Sequence, residues 1–142
     1  MKTSTDNLDL YNDTLMSYVS RIHPDDRLEN PDRTASAYSP ICGTEITIDL
    51  NTSNGKITNI GYDAGSACAL TKTVLAIVLD AAINSNKAHL QSGLGALNAL
   101  LENGVKANNE WEALNILIPA KDYTARHNSM RLPFEAAIKA LS

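Results

Sequence analysis

Basic residues, long hydrophobic runs and cysteines are all scarce in this 142-residue chain, and each scarcity excludes a class of protein. Twelve Lys and Arg stand against sixteen Asp and Glu, and no basic run exists that would fit a nucleic acid or an anionic lipid surface. The longest apolar stretch, residues 68–83, contains Lys72 and Asp80 and is shorter than the ~20 residues that cross a membrane. We therefore expect no nucleic-acid partner and no membrane partner.

The rest of the composition is typical of an ordinary folded domain. Hydrophobic residues make up 44% and charged residues 20%, which excludes a disordered chain, and five prolines with seven glycines exclude a collagen-like one. One domain over residues 1–142 is expected, since domains cluster near ~100–150 residues. The first twenty residues hold three aspartates and no apolar segment, so we expect no signal peptide and a cytoplasmic location.

The first half of the chain is predicted to form a helix, a loop and a sheet. Apolar residues at helical spacing predict a helix from Leu8 to Ile22, which Pro24 ends, and a polar loop follows as far as residue 33. The Asn54-Gly55 pair is a strong signal for a hairpin turn. Strands are therefore predicted over residues 34–39, 44–50 and 56–62.

Residues 44–50 alternate regularly between apolar and polar side chains. The even-numbered apolar residues are predicted to face the core, and the odd-numbered residues, Asp49 among them, to face solvent. The second half of the chain shows helical spacing instead, with predicted helices over residues 68–83, 88–103, 109–117 and 129–141. The predicted fold class is α+β, with a three-stranded antiparallel sheet packed by about five helices.

The two cysteines are the strongest candidates for chemistry. Cys42 stands between Ile41 and Gly43, just before the second strand, and Cys68 opens the most apolar helix. A thiol at a helix N-terminus is favoured as thiolate, the form that binds metals and attacks sulfur. A cysteine is often only a small buried hydrophobe, but both of these lie at element boundaries. In a reducing compartment we expect free thiols or metal ligands.

A second group of candidates lies at the start of the last helix. His127 is a candidate metal ligand as a neutral imidazole, although a lone histidine is more often a surface residue. Ser129 is more simply read as a helix N-cap. A cysteine-dependent enzyme that uses Cys68 as nucleophile and His127 as base is a remote alternative. No pair of carboxylates stands out as a general acid and base.

Four segments together resemble the NifU N-terminal/IscU/SufU family of iron–sulfur cluster assembly scaffolds. They cover the first cysteine and the strand after it, the returning strand, the second cysteine at a helix start, and an Arg-x-x-Cys-x-x-Leu frame near the last helix. These segments are Pro40–Ile48, Ile57–Tyr62, Ala67–Thr71 and Arg126–Phe134. The resemblance covers nearly the whole chain, including the Leu10–Asn12 stretch near its start.

The resemblance implies the fold, the function and the site residues. It implies a non-catalytic scaffold or carrier that binds an iron–sulfur cluster transiently, or zinc, and that works with a cysteine desulfurase and recipient apoproteins. Cys42 and Cys68 would be thiolate ligands, with His127 as third ligand and Ser129, at the third cysteine's position, as a poor one. The family aspartate is replaced by Thr44. The alternative is a degenerate member that acts as a zinc-binding or regulatory protein.

Overall fold

A computed structural model describes residues 11–142. The predicted α+β order is confirmed. The part of the predicted first helix around Leu8 and Leu10 lies outside the described residues. The α-helices are α1 (Asp13–Ser20), α2 (Ala69–Ala82), α3 (Lys87–Asn103) and α4 (His127–Ala140). The strands are β1 (Asp25–Asp26), β2 (Arg33–Tyr38), β3 (Glu45–Ser53) and β4 (Lys56–Asp63). Two 3₁₀ segments, Asn109–Asp122 and Thr124–Arg126, precede α4.

The antiparallel sheet has four strands in the order β1-β4-β3-β2, so the prediction of three strands is wrong by one. The additional strand, β1, is only two residues long and carries Asp25 and Asp26, so it gives no apolar alternation to detect. Gly61 permits its approach, because a Cβ there would lie 2.7 Å from the Asp26 carbonyl oxygen. The predicted hairpin is confirmed, with Asn54 and Gly55 both at positive φ between β3 and β4.

Strand β3 buries its even-numbered apolar residues as predicted, but the prediction that Asp49 faces solvent is wrong. The Asp49 side chain is fully buried. Arg27 donates two hydrogen bonds to its carboxylate at 2.6 and 3.0 Å, the Leu28 N–H donates a third, and the Thr34 hydroxyl donates a fourth. The loop before β2 therefore folds over this face of the sheet, and its hydrogen bonds to the buried Asp49 carboxylate hold it there.

The other face of the sheet is covered by helices. Helix α4 lies across β2 and β3, and α2 packs between α1 and α4. Helix α2 is apolar on nearly all sides, as predicted, because neighbours surround it. Helix α3 also agrees with the prediction, with Asn86 as N-cap and Gly104 in the left-handed conformation at its end.

Residues 109–122 differ from the predicted α-helix over 109–117, because they form a 3₁₀ segment that continues past Pro119. Its Trp111 packs edge-on against Phe134 of α4, with ring centroids 5.4 Å apart. The indole N–H donates to the Ser92 hydroxyl of α3 at 3.1 Å. Gly93 makes room for this packing, since a Cβ there would lie 2.5 Å from the Phe134 ring.

Candidate metal and sulfur site

Cys42 lies in a tight turn between β2 and β3. The Ser39 N–H donates to the Thr44 carbonyl and the Gly43 N–H to the Ser39 carbonyl, both at 2.8 Å. Gly43 has a φ of 70°, a conformation that glycine adopts without strain. The turn presents Cys42 to solvent, and its Sγ lies 3.5 Å from the carbonyl oxygen of Ala125. The first cysteine is therefore an accessible thiol held against the second 3₁₀ segment.

Cys68 is the N-cap residue of α2, with extended backbone and no capping bond from its side chain. This position confirms that the thiol opens the most buried helix. The side chain is half-buried, and its Sγ lies 3.5 Å from the Thr71 hydroxyl oxygen. As the N-cap residue, Cys68 lies at the positive end of the helix dipole.

The surroundings of Cys68 favour its thiolate form. Burial raises the pKa of the Cys68 thiol. Polar groups near the sulfur (the Thr71 hydroxyl and N–H, the Arg126 side chain and the Leu70 N–H) lower it by a larger amount, so the pKa is below its ordinary value. The same contact raises the pKa of the Arg126 guanidinium. Cys68 is thus an activated thiol by position and by its neighbours.

Arg126 connects the two cysteines. It belongs to the segment Thr124–Arg126, and the nearby Cys68 raises the pKa of its guanidinium, with smaller electrostatic contributions from Tyr11 and Cys42. Since Cys42 Sγ also meets the neighbouring Ala125 carbonyl, both thiols converge on this one turn. Sequence reasoning used Arg126 only as the first residue of a motif frame. No local signal in the sequence assigns its charge to the site, because only the fold brings Arg126 beside Cys68.

His127 and Ser129, the other predicted ligands, make backbone contacts at the start of α4. Both are buried. The His127 Nε2 lies 3.1 Å from the Ala120 carbonyl oxygen, and the Ser129 hydroxyl donates to the Arg126 carbonyl at 3.0 Å. The helix begins two residues earlier than predicted, so the expectation of Ser129 as N-cap is wrong; Arg126 holds that position. As metal ligands, both residues stay predictions.

No group of three His, Cys, Asp or Glu side chains over residues 11–142 is arranged to hold a metal ion. Away from the cysteines, His89 pairs through Nδ1 with Glu110 at 3.1 Å and stacks on Trp111. Cys68 Sγ lies 3.5 Å from the Thr71 hydroxyl oxygen and the His127 ring lies against the Ala120 carbonyl, and the cysteine-enzyme alternative stays a prediction. Within the described part of the chain, no helix is long and apolar enough to span a bilayer.

Solved structures share this fold over nearly its full length. A nitrogen-fixing NifU-like protein (N-terminal) from Brucella abortus is 25% identical and superposes with a TM-score of 0.87, covering 95% of this chain and 94% of that one. A candidate iron–sulfur cluster assembly scaffold for the SUF system from the thermophilic Fervidobacterium islandicum AW-1 is 18% identical, with a TM-score of 0.81, covering 95% and 98%. No protein-family model and no curated protein matches the chain. The fold class and the resemblance drawn from the motifs are confirmed.

Proposed function

Because this chain has the fold of the NifU-like and SUF-system scaffold proteins, we propose that it is an iron–sulfur cluster assembly scaffold or a carrier of clusters or sulfur. The observation that carries the proposal is the convergence of Cys42 and Cys68 on the turn Thr124–Arg126. One thiol is exposed and can meet a donor protein. The other is half-buried and activated, as a sulfur acceptor needs to be.

The two cysteines do the binding in this proposal. As thiolates they suit iron, an iron–sulfur cluster and zinc, all of which favour sulfur ligands. The cargo is transient, and the protein has no turnover of its own. The contact of His127 Nε2 with the Ala120 carbonyl leaves Nδ1 available as a ligand atom. Ser129 would join the ligands only after giving up its hydrogen bond to the Arg126 carbonyl.

The proposed partners are a cysteine desulfurase that supplies sulfur and apoproteins that receive the product. A thiolate at Cys68 attacks the terminal sulfur of a donor persulfide, the S–S bond of the donor breaks, and the donor cysteine leaves as thiolate. Cys68 then holds the persulfide, and no external oxidant or reductant is needed for this transfer. The cytoplasmic location predicted from the sequence is part of the same proposal.

A zinc-binding or regulatory protein is the second candidate. The observation that favours it is the small ligand set, since only two cysteines exist in the chain and no third metal-binding side chain joins them over residues 11–142. Such a protein would take up zinc at the same thiols but would not host a cluster.

Anaerobic reconstitution with a cysteine desulfurase, cysteine, ferrous iron and a thiol reductant tests the proposal. We expect visible absorption and circular dichroism from a bound cluster, lost in Cys42→Ser and in Cys68→Ser. Gly95→Ala is the control, because it adds one methyl group on the exposed side of α3 with nothing within 4 Å, and it should keep the signal. A cluster that survives both cysteine changes, or no cluster at all beside tight zinc binding, would contradict the scaffold assignment.

A further inference from the structure

A polar cleft of about 370 Å³ lies where α2 ends and α3 begins, about 20 Å of helix away from Cys68. Its volume is within the range of sites for small molecules. Four elements meet there: the start of β4, the link between α2 and α3, the first turn of α3, and the long 3₁₀ segment. The side chains that line it from these elements include Lys56, Ile83, Asn84, His89 and Glu110.

Backbone hydrogen bonds fix the walls of this cleft. The Asn84 N–H donates to the Ile57 carbonyl at 2.8 Å, and the Ile57 N–H donates to the Ser85 carbonyl at 2.9 Å. The link between the helices is therefore held directly against β4, beside Lys56. Asn84 has a φ of 67°, the left-handed conformation that asparagine tolerates better than most residues. The cleft is thus formed before any ligand enters it.

The imidazole of His89 is held in place from two sides. Its Nδ1 lies 3.1 Å from a carboxylate oxygen of Glu110, and its ring stacks on Trp111 with centroids 4.8 Å apart. An ionised carboxylate only accepts hydrogen bonds, so Nδ1 carries the proton and Nε2 of the neutral ring has the lone pair. Over residues 11–142 Nε2 has no hydrogen-bond partner. His89 is therefore an oriented proton acceptor that lacks a donor.

Lys56 adds a positive charge to the same cleft. Among residues 11–142 nothing forms an ion pair or a hydrogen bond with its ammonium group. The carboxylate on the opposite side of the balance, Glu110, is already paired with His89. A lone pair beside a free cation fits a ligand group that is negatively charged and also carries a proton. A phosphate with one P–OH is such a group, whereas carboxylates and sulfate carry no proton at neutral pH.

We propose that this cleft binds a singly protonated phosphate group, either as free phosphate or on a small phosphorylated compound. The P–OH donates to His89 Nε2, and the Lys56 ammonium pairs with the phosphate oxygens. Glu110 is a positioning residue, because it fixes the imidazole through Nδ1. The exposed side chain of Ile83 offers apolar contact to the carbon part of a phosphorylated compound. The inference does not rest on the proposed function, since neither thiol takes part.

Isothermal titration calorimetry at pH 8 and constant ionic strength tests the proposal, with inorganic phosphate and sulfate as probes. At this pH both anions carry two negative charges, but phosphate keeps one proton and sulfate has none. We expect one phosphate per chain, bound about 10-fold or more tightly than sulfate, because a charge-assisted hydrogen bond is made by phosphate alone. Glycerol phosphate at pH 6, where a phosphomonoester is partly protonated, distinguishes a phosphorylated compound from free phosphate as the tighter ligand.

Two variants separate the two contacts. His89→Gln should weaken phosphate binding by about 10-fold and abolish the preference for phosphate over sulfate. Lys56→Gln should weaken both anions by a similar factor and leave that preference unchanged. Lys106→Gln is the matched control, because it removes the same charge from an exposed residue beyond the other end of α3, and it should bind phosphate as the unmodified protein does. Circular dichroism confirms that each variant is folded.

Three results would overturn the inference: equal affinities for phosphate and sulfate, no heat of binding with either anion, or phosphate binding that is unchanged in both His89→Gln and Lys56→Gln. The scaffold function is judged separately, by cluster reconstitution in Lys56→Gln. A cluster that forms normally in this variant while its phosphate affinity falls would show that the two sites are independent, as the separation between the cleft and Cys68 implies.

Discussion

The same substitution at two glycines of α3 is expected to stabilise the protein at one position and not at the other. Gly93 is buried, and a Cβ on it would lie 2.5 Å from Phe134 Cε1 and 2.7 Å from Trp111 Cζ2. Gly95 is exposed in the same helix, and a Cβ on it would have nothing within 4 Å. Alanine at either position gains the same intrinsic helix propensity. The difference in the free energy of unfolding between the two variants therefore measures the effect of packing at Gly93.

The magnitude follows from these two terms. Replacing glycine by alanine inside a helix favours folding by about 1 kcal/mol, which is the whole effect expected for Gly95→Ala. For Gly93→Ala the rings must retreat from 2.5 Å to beyond 3.0 Å, and the Trp111 indole is anchored by its hydrogen bond to Ser92. Overpacking of this kind costs about 1–3 kcal/mol, so Gly93→Ala should be neutral to about 2 kcal/mol destabilised.

Urea unfolding followed by circular dichroism measures the difference, with equal m-values required for the comparison. The fluorescence of Trp111, the single tryptophan, gives a second probe at the site of the clash. If Gly93→Ala proved as stable as Gly95→Ala, with unchanged fluorescence, the packing of Trp111 and Phe134 over Gly93 would be wrong. The placement of the long 3₁₀ segment against α3 would then lose its main support.

Three further outcomes are expected. Arg126→Gln should slow alkylation of Cys68 by iodoacetamide at pH 7, because the pKa of the thiol rises without the guanidinium. Arg131→Gln is the control and should leave the alkylation rate unchanged. Equal rates in the two variants would show that Arg126 does not act on the Cys68 thiol. Hydrogen bonds from Arg27 hold the pKa of Asp49 below its ordinary value. The stability that the ionised carboxylate contributes is therefore complete above pH ~4 and is lost as the pH falls further. Asp49→Asn should therefore lower stability at pH 7 and flatten its decline below pH ~4 in urea titrations. In native mass spectrometry under reducing conditions, both thiols should be free in the metal-free protein, and a persistent disulfide would contradict the site.

Elements with strong periodicity were predictable, and elements held by single contacts were not. Helices α2 and α3 and the hairpin of β3 and β4 follow from apolar spacing and from Asn54-Gly55. Strand β1 has no pattern of its own and exists because Gly61 leaves room for it. The burial of Asp49 depends on hydrogen bonds from Thr34 in β2 and from the loop residues Arg27 and Leu28, which lie 15 to 22 residues earlier in the chain, and no local pattern records those contacts.

The candidate site shows the same division between local and tertiary information. Cys42 at a strand entrance and Cys68 at a helix start are local features, and the sequence placed both correctly. What their side chains meet depends on residues more than 50 positions later, at Ala125 and Arg126, and only the fold brings these together. Spacing in the motif frame put Ser129 at a ligand position, but spacing does not state where its hydroxyl points.

The Ser129 hydroxyl has a structural use that explains how the two-cysteine site can persist without a third thiol. By donating to the Arg126 carbonyl at 3.0 Å, it fixes the first turn of α4 to the segment that carries Arg126. That segment presents its guanidinium to Cys68 and its Ala125 carbonyl to Cys42. The arginine of the motif frame is therefore held beside Cys68, where it helps to lower the pKa of that thiol.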